Sequence, residues 1–258
     1  MEGVDVIYWI SLDSAVKRQA HMKSMLKDDA FKKIKTTKIR AIPFKYADID
    51  KWFVRPVENK LRNNSIRLHE YGCLLSHLNT IRTFSNSSHE TALIFEDDIS
   101  LDLKQYWTKT VQDVIDGAPK DWEIIRLFDT GVVEQTNSYK ALTFPCFDKG
   151  FNTAPACSWS MSSYIINKTA AKKIMRLLWK NRKYHLPRNS YFVADYLLND
   201  LLKSYAYKYP MFMPKNNNDS QIHIHSDAHH CSLGEGRRNN INRTRIVKMY
   251  KNKTRRRR

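Results

Sequence analysis

Long apolar runs are missing from this 258-residue chain: no stretch approaches the roughly 20 consecutive apolar residues a bilayer-crossing helix needs. The first residues also lack the basic segment and apolar run of a secretory leader, so the expectation is a soluble protein made and kept in the cytoplasm. Cysteine is scarce and scattered. Cys73, Cys146, Cys157 and Cys231 form no C-x-x-C pair, which argues against a zinc ribbon or a thioredoxin-like redox motif and leaves free thiols in a reducing compartment as the expectation. N-x-S/T triplets at Asn86 and Asn167 carry little weight in a chain this rich in asparagine and serine. Internal repeats are absent, as are helix-turn-helix, zinc-finger and RNP-type aromatic motifs.

Acidic residues are the other shortfall, 26 against 44 basic ones, for a formal net charge of +18. Such an excess favours an anionic partner: a nucleic acid, an acidic surface or a phosphorylated donor. The excess is densest beyond Arg237, where Arg238, Arg243, Arg245, Lys248, Lys251, Lys253 and the run Arg255 to Arg258 follow with no intervening acid. A segment that repels itself and has few apolar anchors reads as a solvated or partly helical tail. The expected organisation is therefore one domain over 1–236 and a basic tail over 237–258. The lysine- and asparagine-rich composition fits an AT-rich coding sequence, such as a viral one.

What the chain does have is strands alternating with helices. Asp5 to Leu12 (DVIYWISL) is a short apolar, β-branched and aromatic run that reads as a buried first strand ending in a turn. A helix is expected over Ala15 to Leu26 and a second strand over Lys38 to Ile42, halted by Pro43. Ile49 to Ser65 reads as a long irregular connection. Leu68 to Phe84 places Leu74, Leu75, Leu78 and Ile81 on one helical face and stops at Ser85-Asn86-Ser87-Ser88. Further strands are expected at Thr91 to Phe95, Trp122 to Phe128, Ser160 to Ile166 and Tyr207 to Met213, with helices at Lys168 to Trp179 and Val193 to Tyr205. Short apolar strands interleaved with helices imply an α/β layer with a mostly parallel sheet, in which ligands sit beyond the carboxyl ends of the strands.

The segment with the most chemistry is Glu96-Asp97-Asp98, where the apolar TALIF strand meets solvent. Three adjacent acids repel one another unless a cation or basic partner offsets them. In an extended segment Glu96 and Asp98 project to one side and Asp97 to the other. A hard cation such as Mn²⁺ or Mg²⁺ takes oxygen ligands and can bridge two phosphates of a nucleoside diphosphate. A solvated acidic turn explains the same three residues equally well.

Context separates the two. VIYWISLDSAVKRQAHM, HEYGCLLSHLNTIR, TALIFEDDI, WEIIRLF, SSYIINKTAAKKIM and VADYLLNDLL occur in the order and spacing of glycosyltransferase family 25, the group containing lipooligosaccharide and procollagen galactosyltransferases, and the chain resembles that family over roughly Val4 to Ser226. Ser11 stands where the family has asparagine, and Ala41-Ile42-Pro43-Phe44 departs from the family's A-x-D-G hinge.

The resemblance implies a GT-A nucleotide-diphospho-sugar transferase fold, with a mostly parallel Rossmann-like sheet and flanking helices. It also implies a UDP-galactose or UDP-glucose donor, a divalent metal (Mn²⁺ or Mg²⁺) and inversion at the anomeric carbon. On that reading Glu96 and Asp98 hold the metal, joined by His223 or His225 from the stretch HIHSDAHHC, whose zinc-like appearance lacks a second spaced ligand pair. Ser11, Leu12, Arg18, Gly72, Ser76, Glu96 and Asp97 lie on the donor side, with Arg18 either pairing a phosphate or serving only as a surface helix arginine. Ser76 and His77 have the alternative of serving only core hydrogen bonds. Asp195 is the expected base for the acceptor hydroxyl, although an aspartate just inside a helix start is also what capping and the helix dipole favour. The acceptor is a glycan or a protein, a collagen-like chain among the options. Two rival readings use the same features: a basic nucleic-acid-binding protein, and a metal-dependent phosphoesterase built on the same acids.

Overall fold

A computed structural model describes residues 1–45, 48–55, 68–129, 137–142, 160–188, 193–215 and 243–252. In chain order the elements are β1 (Val6–Ser11), α1 (Val16–Met25), β2 (Lys35–Arg40), α2 (Ile49–Trp52), β3 (Phe53–Val54), α3 (Leu68–Ser85), β4 (Thr91–Glu96), β5 (Ile99–Ser100), α4 (Val111–Asp116), β6 (Ile124–Arg126) and β7 (Tyr139–Ala141). There follow β8 (Ser163–Asn167), α5 (Lys168–Leu178), β9 (Trp179–Lys180), β10 (Lys183–His185), α6 (Ala194–Leu201), β11 (Ser204–Tyr207) and β12 (Met213–Pro214), and then α7, residues 243–252.

Among the described residues the main sheet has the order β2-β1-β4-β8-β6-β11-β7. Strands β2, β1, β4, β6 and β11 run one way, while β8 and the edge strand β7 run the other. This is the α/β layer expected from the sequence. Alternation along the strands divides the core in two. Val6, Tyr8, Ile10, Ala92, Ile94, Tyr164 and Ile166 face α3, α5 and α6, while Ile7, Trp9, Leu93, Phe95 and Ile165 face α1, α4 and Phe212. Both faces of the sheet are therefore covered, which is why the strands read as continuous apolar runs.

Connections place the site. From β1 the chain crosses to β2 on one side, and α3 then brings it back to β4 on the other, so the order reverses at the carboxyl ends of β1 and β4. Such a switch point opens a crevice. Helix α3 lies over it with Leu74, Leu75, Leu78, Ile81 and Phe84 fully buried, and truncating one such residue costs about 2–5 kcal/mol. At Gly72 a Cβ would meet the Ile42 carbonyl oxygen at 2.7 Å and the Phe44 Cβ at 3.1 Å, so only glycine lets α3 press on the hinge after β2.

Some expectations need correcting. The helix expected over Val193 to Tyr205 ends at Leu201; Leu202 is extended (φ −126°, ψ 152°), and Ser204–Tyr207 pairs with β6 as β11. The periodic leucines run straight into an alternating strand, and pairing with β6 overrides helical continuation. For the same reason the strand expected over Tyr207 to Met213 is replaced by β11 and by the two-residue β12, which pairs with β5. Part of the connection read as irregular is ordered, as α2 and as β3 paired with β10. The pair Asp97-Asp98 lies in a turn between β4 and β5, not in an extended segment. In the basic terminus α7 buries Ile246 and Tyr250 against Leu103, Phe128 and Met213, and the Tyr250 hydroxyl donates to the Pro210 carbonyl at 2.8 Å. This segment thus contributes to the core while Arg245, Lys248 and Lys251 stay exposed.

Candidate active site

The carboxyl ends of β1 and β4 bring together residues far apart in sequence. Ser11, the last residue of β1, is buried and donates its hydroxyl to Asp97 Oδ2 at 2.6 Å. Arg18, on the first turns of α1, donates from Nη1 to Asp97 Oδ1 at 2.8 Å and lies 3.9 Å from Asp98 Oδ2. Burial alone would lower the Arg18 pKa, but the hydrogen bond to Asp97 and the charges of Asp98, Asp97 and Glu96 hold it above its ordinary value. Leu12 acts through its carbonyl, which accepts from the Gln19 side chain at 2.7 Å and fixes the turn between β1 and α1.

The three acids therefore have different surroundings. Asp97 has both oxygens engaged. Glu96 Oε1 lies 3.2 Å from His77 Nε2, and His77 Nδ1 lies 3.1 Å from the Tyr164 hydroxyl. Asp98 Oδ1 is buried with no hydrogen-bond partner among the described residues, although the side chain as a whole keeps 23% of its surface. Burial, then the charge of Glu96, push the Asp98 pKa up to about 7 against the pull of Arg18. An orphaned carboxylate oxygen beside a second carboxylate is what an oxygen-seeking cation would satisfy.

Helix α3 supplies the wall opposite. Ser76 is buried, donates to the Gly72 carbonyl at 2.6 Å and accepts from the Ile42 N–H at 3.1 Å, so Gly72 and Ser76 both hold the hinge after β2. His77 is buried and bridges Tyr164 and Glu96. Cys73, His77 and Glu96 bring a sulfur, a nitrogen and an oxygen all within 4.8 Å of one another. Burial, then the charges of Glu96 and Asp195, hold the Cys73 thiol well above its ordinary pKa.

Asp195, in the first turn of α6, accepts from the Ser160 N–H at Oδ2 (3.0 Å), and Ser160 sits at φ 110°, a strained value for a serine. Burial raises the Asp195 pKa, while Arg126 and the Ser160 bond pull it back. Arg126 is completely buried at the end of β6 and donates from Nη2 to the Asp195 carbonyl and to Asn199 Oδ1, both at 3.0 Å. Sequence reasoning passed over Arg126, Ser160 and Tyr164. An arginine inside the otherwise apolar IIRLF was the one available signal, since a buried charge needs partners.

Of the expected residues, the structure gathers Ser11, Leu12, Arg18, Glu96, Asp97 and Asp98 at one corner, with Gly72 and Ser76 behind the hinge and Asp195 across the crevice. His223 and His225 lie outside the described residues. The described chain reaches Lys215, whose N–H donates to the Asp98 carbonyl at 2.6 Å and whose ammonium lies 2.9 Å from His21 Nδ1.

The family model described as glycosyltransferase family 25 (LPS biosynthesis protein) matches residues 4–192. The chain belongs to glycosyltransferase family 25. In this family 25 chain the match spans both β1 and β4, whose carboxyl ends build the acidic corner. Three solved structures are similar at low level. A glycosyltransferase involved in glycosylation of the major capsid of PBCV-1 has 9% identity and a TM-score of 0.35 over 68% of this chain and 66% of that one. The apo WbbM bifunctional glycosyltransferase has 11% identity and a TM-score of 0.41 over 93% of this chain and 45% of that one. The apo GlyE glycosyltransferase of Streptococcus pneumoniae TIGR4 has 10% identity and a TM-score of 0.31 over 69% and 39%. The chain thus spans less than two thirds of each of those lengths, and the family assignment does not rest on them. No curated protein matches the sequence.

Proposed function

We propose that this family 25 chain is a metal-dependent, inverting GT-A glycosyltransferase that moves galactose or glucose from a UDP-sugar to a hydroxyl of a glycan or protein acceptor, collagen-like chains included. The observation that carries the reading is Asp98, whose buried Oδ1 has no partner among the described residues at the switch point of the sheet. Glu96 and Asp98 are the residues that would hold Mn²⁺ or Mg²⁺, and His223 or His225 would join them from beyond Lys215. A cation bound there supplies charge neutralisation for the departing diphosphate. Arg18, already oriented by Asp97, pairs a donor phosphate from the α1 side. Ser11 and Leu12 set the turn that borders the nucleotide, and Gly72 and Ser76 act on the donor side through the hinge they hold.

Asp195 takes the proton of the acceptor hydroxyl. Burial raises its proton affinity, as a base near neutral pH requires, and Arg126 and Ser160 fix its direction. The exposed Arg245, Lys248 and Lys251 face of α7 contacts an anionic surface.

The test is UDP release from a panel of UDP-hexoses with Mn²⁺ and sugar or peptide acceptors, with product analysis to separate transfer from hydrolysis. Turnover of at least one donor is expected, and Asp195→Asn should lower kcat by about 10²–10⁴-fold with donor affinity unchanged. No binding or turnover of any nucleotide-sugar would overturn the reading. Because Ile246 and Tyr250 are buried, the basic face is tested by exchanging Arg245, Lys248 and Lys251 for glutamine, not by deletion from Arg237. A transferase keeps donor turnover after that exchange, and a nucleic-acid tether loses its salt-sensitive affinity.

A further inference from the structure

Beside Glu96 the acidic corner has two donors that the oxygen-ligand reading leaves unused. Cys73 and His77 are one turn apart on α3 and so share a face, and that face meets the end of β4 where Glu96 emerges. A thiol sulfur, an imidazole nitrogen and a carboxylate oxygen all lie within 4.8 Å of one another. About a tetrahedral zinc ion, with bonds of roughly 2.0–2.3 Å, such atoms sit about 3.4–3.8 Å apart. Small rotations therefore close the gap, and His77 Nε2 already stands 3.2 Å from Glu96 Oε1.

We propose that Cys73, His77 and Glu96 form a binding site for a thiophilic divalent cation, Zn²⁺, which shares Glu96 with the corner around Asp98 but is chemically distinct from it. Sulfur and imidazole ligands select zinc over Mn²⁺ and Mg²⁺, which favour oxygen. Tyr164 is the outer partner such a site needs. Its hydroxyl lies 3.1 Å from His77 Nδ1, and a metal-ligating histidine is held by a hydrogen bond at its other nitrogen. Without metal, Nε2–H donates to Glu96 and Nδ1 accepts from the phenol. With metal on Nε2 the ring proton moves to Nδ1 and is donated to the phenol oxygen, and the thiol proton leaves to solvent. Of the three donors Glu96 keeps 27% of its side-chain surface, so the cation enters from the Glu96 side and its remaining position is left to water. Filling this site draws Glu96 toward α3 and away from Asp98, so zinc acts against the metal the transfer reaction uses. Only this last consequence rests on the proposed function; the site itself stands on the three donors.

The experiment loads the metal-free full-length chain with Co²⁺ as a spectroscopic stand-in and follows its displacement by Zn²⁺. A sulfur-to-cobalt charge-transfer band with intense tetrahedral d–d bands is expected at one ion per chain, lost on adding Zn²⁺. Cys73→Ser should remove the charge-transfer band and Glu96→Gln should weaken cobalt binding by at least tenfold, while Asp98→Asn should keep the spectrum even where it stops UDP release. Cys231→Ser should also keep it, which separates this site from the histidine-rich stretch. Thermal melting of each metal-free variant shows that the fold is retained. A thiolate band that survives in Cys73→Ser, or no band at all in the parent chain, overturns the proposal whatever the outcome of the donor screen.

Discussion

The two edges of the main sheet treat charge in opposite ways. At the edge where β4 and β6 begin, Lys168, Glu123 and Asp5 have all been given partners. Lys168 donates to the Phe84 and Ser87 carbonyls at 2.8 and 2.7 Å. Glu123 receives Lys173 at both oxygens and the Lys203 N–H at 2.7 Å, and Asp5 Oδ2 accepts from the Glu90 and Thr91 N–H groups. At the opposite edge Asp98 retains a buried oxygen with no partner among the described residues. A charge that is fully answered serves stability, whereas one left unanswered at a crevice marks where something else binds.

That contrast can be broken by substitution. The largest effect is expected at the unanswered edge: Asp98→Asn should lower metal-dependent UDP release by more than about a hundredfold, and a variant with near-normal turnover would erase the contrast. Lys168→Met, at the answered edge, should destabilise the protein by about 1–3 kcal/mol in urea unfolding with kcat unchanged, because it strands the Ser87 carbonyl, whereas the Phe84 carbonyl keeps the Ser87 N–H and hydroxyl.

Asp98 also predicts the sign of a pH effect. Its folded pKa, about 7, lies above that of an unfolded aspartate, so the native state holds the proton longer. The associated stabilisation is complete below about pH 4 and is lost as pH rises through about 7. In chelator-treated protein the wild type should therefore lose on the order of 1–3 kcal/mol relative to Asp98→Asn across that window, with the partial exposure of the side chain keeping the figure modest. Paired melting curves at several pH values check this, and parallel curves would refute it. The smallest effect belongs to Asp5→Ala, about 1 kcal/mol of stability with no change in turnover.

Much of the frame was legible because its local signals agree. Thr91–Glu96, Leu68–Ser85 and Lys168–Leu178 fall within a residue of the ranges read from periodicity, since buried strands and one-faced helices leave strong patterns. Beyond Leu201 the pattern misled, because leucines at helical spacing lead directly into Ser204-Tyr205-Ala206-Tyr207 and only the neighbouring β6 decides where one period yields to the other. The acidic triplet stood out in the sequence, but the different surroundings of its members did not show. They depend on Ser11 and Arg18, 86 and 79 residues away from Asp97, and on a turn where an extended segment was expected. Arg126 could be seen as odd in its strand but not explained, as its partners Asp195 and Asn199 lie on another element altogether.

The clasp of Asp97 with Ser11 and Arg18 has a bearing on affinity. It ties β1, α1 and β4 together in the ligand-free chain, so on the proposed function a docking diphosphate would meet a guanidinium already in place and freeze few rotors. Opening the clasp with Asp97→Ala would leave the same atoms within reach, yet the loss would appear as the entropy of gathering them.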